Sequence, residues 1–256
     1  MYAFFKEKAR QFYCHLKRWS IKLAVRQQNL LKICYQLSKL IPDVSEQYTS
    51  VKLDIYYCEK VRALHAFQIR YTLKNIGDYK NIVDIGDSSG NHLKYLKHFK
   101  PDLNCVSVNL DSRAVDKINA EGGKAVLCDA HKINEAGIKA DAALSFEMVE
   151  HLDNPLEFLR NLKKIDIRKL IITVPYRRVS QVGLYQYRDG NIGFGIEDVH
   201  VFELCPYDWE LLFKYSGWKL DNMKIFYQYP TYLPFLRYFW NWHDFEGFVG
   251  FTLVKP

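Results

Sequence analysis

The apolar and polar positions change rhythm near residue 81. Before it the spacing is helical. Phe5, Ala9, Phe12, Leu16, Trp19 and Leu23 recur every three or four residues, which puts them on one helix face. A second helical stretch, "NLLKICYQLSKL", stops before Pro42, since the residue preceding a proline is pushed out of helical backbone. Residues 43–55, "DVSEQYTSVKLDI", read as a linker, and "YYCEKVRALHAFQIRYTLKNI" as a further helix. From "NIVDIG" onward, short apolar runs alternate with helical ones. "NHLKYLKHF" is helical and "NCVSVNL" strand-like; "SRAVDKINAEGG" is helical with a glycine stop, and "KAVLCDA" and "ADAALSF" are strand-like. "VEHLDNPLEFLRNLKKI" reads as a helix, "KLIITVP" as a β-branched strand, and "PYDWELLFKYSG" as a helix with proline at its start and glycine at its stop. "WKLDNMKIFYQY" and "EGFVGFTLVK" close as strands. This alternation predicts an α/β fold with a mostly parallel sheet covered on both faces. The expected division is a helical arm and linker over 1–55 and the α/β domain over 56–256.

Composition narrows the class. With 256 residues and 48% hydrophobic content, the chain can bury one large core. No apolar run reaches the roughly 18–20 residues that a membrane-spanning helix needs, and charges interrupt the opening "MYAFFKEKARQFY" too often for a signal-peptide core. Cys14, Cys34, Cys58, Cys105, Cys128 and Cys205 are scattered without a C-x-x-C pair, as in a reduced, cytoplasmic protein without a zinc site. The net charge of +7 is uneven: residues 1–40 carry nine Lys/Arg against Glu7 alone, and the remaining 27 basic and 28 acidic side chains nearly balance. The arm is therefore a basic amphipathic helix. It packs on the domain or on a second copy, or it offers a surface to anionic lipid at the inner membrane face, or to nucleic acid.

In parallel sheets ligands gather beyond the carboxyl ends of the strands. The first such end is "VDIGDSSGN", where Gly86 permits a sharp turn and Gly90 lets helix-start amides approach a ligand. Ser88 and Asn91 stand where a dinucleotide fingerprint needs glycines, and no Gly-Lys-Ser/Thr ending follows, so NAD and P-loop chemistry are disfavoured.

Five stretches in order resemble the class I S-adenosylmethionine (SAM) methyltransferases: "VDIGDSSG", "VSVNLD", "LCDA", "ALSFEMVEHLDNP" and "HVFELCPYDWELLFKYSGW". The resemblance covers residues 81–256 and implies a Rossmann-like, seven-stranded, mostly parallel sheet with helices on both faces and an N-terminal helical extension. It implies SAM as cofactor, with Asp84, Gly86, Asp87, Ser88 and Gly90 in the glycine loop, Asn109, Leu110 and Asp111 at the ribose, and Asp129, Ala130 and Phe146 toward the adenine. Ser88 replaces the usual middle glycine. Asn109 replaces the ribose acid and gives up a charge-assisted bond worth roughly 1.5–3 kcal/mol for a neutral one of roughly 0.5–1.5. If the strand stays extended, Asp111 shares Asn109's face and supplies the carboxylate.

Three ionisable groups crowd the end of the fourth apolar run: Glu147, Glu150 and His151, with His200 later in "EDVHVFEL". On a helix beginning there the three would share one face. Methyl transfer from a sulfonium asks the protein to place the nucleophile, and a hydroxyl nucleophile also needs a base or a cation to lower its effective pKa. Glu-x-x-Glu-His with a later His is similar to the small-RNA 3′-terminal 2′-O-methyltransferases and the ubiquinone-biosynthesis O-methyltransferases. That likeness implies Glu147, His151 and His200 as catalytic residues, and Glu147, Glu150, His151 and His200 as ligands of a divalent cation such as Mg²⁺ or Mn²⁺. Two plainer uses stay open: a pocket wall without metal, or acids favoured by a helix start.

The leading expectation is O-methylation of a sugar-containing or other small-molecule acceptor. The alternatives are an RNA 3′-terminal 2′-O-methyltransferase, with nucleic acid the less favoured partner, and a non-catalytic binding protein on the same fold. Secondary expectations are a lid over 176–205 and an aromatic packing or dimer surface over 227–248, whose alternative is a wall for a sugar or aromatic acceptor with His243, Asp244 and Glu246 as polar handles. Arg177 and Arg178 are solvated loop residues or, alternatively, meet an anionic substrate, and one of Lys60, Arg62 or His65 lies near the cofactor's methionine carboxylate.

Overall fold

The computed structural model describes residues 2–48, 52–182, 200–243 and 245–256. Helices α1 (Tyr2–Gln27) and α2 (Leu31–Leu40) precede α3 (Ile55–Asn75), whose first turn is capped by Asp54 accepting from the Tyr57 amide at 2.9 Å. There follow β1 (Asn81–Ile85), α4 (Asn91–Phe99), β2 (Asn104–Asn109), α5 (Ser112–Ala120), β3 (Ala125–Leu127) and β4 (Ala142–Phe146). Next come α6 (Pro155–Lys164), β5 (Lys169–Tyr176), the short strands β6 (Gln181–Val182) and β7 (Phe202–Glu203), and α7 (Pro206–Tyr215). β8 (Lys219–Tyr227), α8 (Phe235–His243) and β9 (Gly247–Val254) complete the described chain.

The main sheet has seven strands in the order β3-β2-β1-β4-β5-β9-β8. β1 to β5 run parallel and β9 inserts antiparallel between β5 and β8. This is the expected Rossmann-like sheet. Strand order reverses between β1 and β4, so the chain leaves these neighbours in opposite directions and opens a crevice at their carboxyl ends.

Alternation along the central strands feeds two cores. Ile82, Leu144 and Ile171 face one with α1 to α4, whereas Val83, Ala143, Leu170 and Ile172 face the other with α6 and α7. Asp84 and Thr173 sit on the first face by the same alternation, which directs two polar side chains under α3 and α4.

Helices α1 and α2 share this first core, with Ile21, Val25, Leu30, Ile33 and Leu37 packed among Phe67, Phe226 and Trp240. Ser20 Oγ accepts from Trp240 Nε1 and donates to the Gln228 carbonyl, both at 2.9 Å. Arg70 donates to the Gln28 and Asn29 carbonyls where α1 turns into α2. Packing therefore runs across residue 55, which is no boundary between core units. The buried face of α1 is Ser20, Ile21, Ala24 and Val25, joined by Leu16 from the expected stripe, of which Phe12 is 63% and Trp19 45% exposed. Periodicity reveals a stripe without saying what it touches.

The helix expected over 149–165 begins only at Pro155, with Asn154 accepting from the Glu157 amide at 3.1 Å. Proline has no amide hydrogen to donate and fits the first helical position, so residues 149–151 form a separate 3-10 turn. The centre of the lid expected over 176–205, residues 183–199, lies outside the described residues, as do Asp244 and the His243 side chain. The aromatic stretch over 227–248 packs in part: Tyr229, Leu236, Trp240 and Phe248 are buried, whereas Tyr232, Phe235, Tyr238 and Trp242 are exposed.

Leu37→Ala is expected to cost about 3 kcal/mol, read as a lowered urea midpoint. A change below about 0.5 kcal/mol would mean that α2 is a surface attachment and not part of the core.

Candidate functional site

The crevice at the β1/β4 reversal opens into a cavity of about 960 Å³. Gly86 and Ser88 line it after β1; Asn109, Leu110 and Asp111 after β2; Asp129 and Ala130 after β3; and Glu147, Met148 and His151 after β4. Lys60, His131, His200, Phe245 and Phe248 are also on its wall.

Gly86 turns with φ 87°, and a Cβ there would meet Met148 Cγ at 2.7 Å. Its amide donates to the Val108 carbonyl at 2.8 Å and ties the turn to β2. Asn109 is buried and donates to Ser107 Oγ at 2.8 Å and to the Asp87 carbonyl at 3.1 Å, so its amide braces the glycine loop. β2 ends at Asn109, and Asp111 caps α5 while paired with Arg113 at 3.1 Å. Asp111 reaches the wall through a helix cap, and not as the same-face neighbour expected from an extended strand. Asp129 accepts from the His131 amide at 2.9 Å, a bond that pulls its carboxyl below the usual range, with the adjacent imidazole adding to the effect.

Asp84, Asp87, Gly90, Phe146 and Glu150 stand behind the wall and not on it. Asp84 and Asp87 have no exposed surface, and both face His92, whose Nδ1 lies 3.4 Å from Asp84 Oδ2 and 3.2 Å from Asp87 Oδ1. Burial opposes a charge on this ring, yet hydrogen bonding and attraction from the two carboxylates raise its pKa to about 10. Burial, then Asp87's charge, raise Asp84 to about 6. At neutral pH the trio is an imidazolium held between two carboxylates. On its other side, His92 Nε2 lies 3.2 Å from Gln68 Oε1, and Gln68 donates to Thr173 Oγ1 at 2.9 Å. No sequence signal marked His92 or Gln68; they meet only because α3 and α4 cover the same sheet face.

The acids after β4 are held by a turn. Glu147 takes φ 50°, a left-handed conformation that costs a non-glycine residue about 1–3 kcal/mol. The Thr173 carbonyl accepts the Glu147 amide at 2.8 Å and fixes that turn. Burial lifts the Glu147 carboxyl to about 8 against the restraining effects of a Thr173 hydrogen bond and the Lys60 charge. Glu150 is fully buried with both carboxyl oxygens lacking a hydrogen-bond partner, and burial followed by repulsion from Glu147 holds its pKa well above the ordinary value. Glu150, His151 and His200 each offer a ligand atom within 4.8 Å of the others. The His151 and His200 rings meet edge to face, with centroids 4.7 Å apart.

His200 has a partner the sequence reading passed over. Its Nδ1 lies 3.3 Å from Glu203 Oε1, and Arg177 pairs with Glu203 Oε2 at 2.7 Å. The spacing His-x-x-Glu was visible in "HVFE"; Glu203 lies on β7 and His200 just before it. Arg177 is thus spent on Glu203, and Arg178 on Glu246 through bonds of 2.8 and 3.0 Å. Neither arginine is placed for an anionic substrate, and Glu246, bound also by Tyr229, is a structural acid and not a polar handle. Of the three cations on α3, only Lys60 reaches the cavity. Arg62 donates to the Ile41 and Pro42 carbonyls, and His65 is buried against His92.

Residues 83–167 match the family described as a methyltransferase domain. The 1,6-didemethyltoxoflavin-N1-methyltransferase of Burkholderia thailandensis, solved with its substrate and S-adenosylhomocysteine, aligns at TM-score 0.57 with 12% identity over 76% of this chain and 79% of that one. The [4+2]-cyclase SpnF aligns at 0.57 with 11% identity over 78% and 83%. The O-methyltransferase from a trans-AT PKS multienzyme of Brevibacillus brevis, also with S-adenosylhomocysteine, aligns at 0.54 with 12% identity over 77% and 73%. No curated protein sequence matches the chain. The chain has the fold of the class I SAM methyltransferases, and its residues 83–167 match a methyltransferase-domain model.

Glu147 and Glu150 bind protons more tightly folded than unfolded. Stability should therefore fall as pH rises from the ordinary 4.5 through about 8. Glu150→Gln removes part of that loss. Its Tm should exceed that of the unaltered protein at about pH 9, with little difference near pH 5, each kcal/mol being worth roughly 2–4 °C. Equal Tm differences at both pH values would show that Glu150 does not change its protonation on unfolding.

Proposed function

We propose that this chain transfers a methyl group from SAM to a hydroxyl of a small, sugar-containing acceptor. The observation that carries the reading is one cavity with the glycine turn and Asp129 on one side and Glu147, His151 and His200 on another. The methyltransferase-domain match and the neighbours solved with S-adenosylhomocysteine support the cofactor. The cradle suits it, since the residues after β1, β2 and β3 that would hold its three portions line one cavity. Gly86 and Ser88 would receive its methionine portion, Asn109 and Asp111 its ribose, and Asp129 and Ala130 its adenine.

Bound there, the cofactor supplies an activated methyl group on a good leaving group. The chain's own residues have to place the acceptor oxygen and take its proton. His200 is built for the second task. Glu203 holds Nδ1 as a donor, leaving the Nε2 lone pair to accept a proton, and the fully buried carboxylate, itself paired with Arg177, favours the imidazolium that forms. Glu147, protonated near neutral pH, offers a hydrogen bond to a neighbouring hydroxyl, and Phe245 and Phe248 supply an apolar wall for a sugar face.

A divalent cation also fits. The unpartnered Glu150 carboxylate, with one nitrogen each of His151 and His200 close by, matches a carboxylate–imidazole donor set for Mg²⁺ or Mn²⁺. A cation there would lower the pKa of a bound hydroxyl. The Glu203–His200 bond suits either use, because carboxylates orient metal-binding imidazoles as they orient basic ones.

Calorimetry should show S-adenosylhomocysteine binding, with Asp129→Ala weakening it about tenfold through loss of one charge-assisted bond. No binding to the unaltered protein would remove the proposal. With a hydroxylated acceptor found by labelled SAM, His200→Ala should lower kcat by about 10²–10³, and Glu203→Gln should lower it less while displacing the pH profile. Chelator treatment that abolishes turnover, restored by Mn²⁺, selects the cation route; full turnover in chelator selects His200 as the base. Label found on RNA termini in place of small acceptors would move the substrate to RNA.

A further inference from the structure

We propose that the outer face of α1 and α8 docks on an anionic lipid bilayer. The face exists because α1 buries its small-residue side. Ser20, Ile21, Ala24 and Val25 are covered and Leu16 packs against the same core, which leaves Phe12 and Trp19 exposed and Leu23 half-buried on the outer side. Lys8, Lys22 and Arg26 are exposed along the same side of the helix, spaced at 100° per residue.

Helix α8 extends the face. Phe235, Tyr238 and Trp242 stand at i, i+3 and i+7 and are 59%, 71% and 77% exposed, while Leu236 and Trp240 anchor the opposite side at no exposure. The two helices meet where Tyr13 stacks on Phe239, ring centroids 6.1 Å apart, and where Trp240 donates to Ser20. The surface is therefore continuous, on two helices whose other faces are fixed in the core.

Its charge selects the occupant. Residues 1–40 carry nine Lys/Arg and one acid. A second copy on this face would bring like charge against like charge. Nucleic acid would satisfy the lysines and leave Phe12, Leu23 and Trp242 in water. An anionic bilayer accepts both components, since aromatic and aliphatic side chains enter the headgroup region and the cations stay among the phosphates. This docking is independent of the chemistry in the cavity, and either can fail without the other.

Flotation with vesicles decides it. The full chain should float with vesicles of equal parts phosphatidylcholine and phosphatidylglycerol, release at high salt, and stay behind with phosphatidylcholine alone. Lys22→Ala and Arg26→Ala should each weaken binding about fivefold. Trp19→Ala combined with Trp242→Ala should weaken it at least about tenfold, with far-UV circular dichroism and S-adenosylhomocysteine binding unchanged, because both side chains lie in solvent. Absence of binding to the mixed vesicles, binding that neither set alters, or sedimentation as a dimer that these substitutions dissociate would each overturn the proposal.

Discussion

A carboxylate removed from water must find a partner or a proton, and this constraint organises the floor of the cavity. Asp84 and Asp87 face the His92 imidazolium, and Glu203 faces Arg177 and His200. Glu150 has no partner and holds a proton more tightly than an ordinary carboxylate, and Glu147 does so too, against the pull of Thr173, Lys60 and His92. Glu203 ties Arg177 and His200 together beside β7, and Asp84 and Asp87 close on His92 behind the glycine turn. Acids with a cation beside them meet the constraint by charge, and those at the end of β4 meet it by protonation.

The same logic separates the imidazoles. His92 is held between two carboxylates with almost no exposed surface, and His65, which meets it edge to face, is kept neutral by burial and by His92's charge. His131, His151 and His200 line the cavity instead; His131 Nδ1 lies 3.2 Å from Asp129 and His200 Nδ1 3.3 Å from Glu203. Partners and exposure, and not position in a motif, separate the buried rings from those on the wall.

The sheet was legible because buried parallel strands leave dense apolar runs and because glycine, proline and capping residues mark their ends. "NHLKYLKHF" forms a helix over those same residues, between Gly90 and Lys100. The carboxyl ends of strands were equally readable, which is why Gly86, Ser88, Asn109 and Asp129 all reach the cavity. Three-dimensional partners were not. His92 reaches Asp84 across eight residues and Gln68 across twenty-four, separations that carry no local signature. The acids after β4 were found as a cluster but assigned to a helix, and Pro155 instead confines them to a left-handed residue and a 3-10 turn. Among the described residues Glu150 converges with His151 and His200, whereas Glu147 of the four expected together does not join that group.

The fold fixes less chemistry than the site does. A cyclase and two methyltransferases share this sheet at 11–12% identity, so the strand order alone specifies where a ligand sits and not what happens to it. One element of this chain lies outside the stretch that carries the resemblance. Helix α1 contributes Ser20 to a buried bond with Trp240 of α8, so the N-terminal extension is packed into the same core as the sheet. The cavity wall is specified locally instead, where Phe245 stacks on His200 with ring centroids 5.3 Å apart.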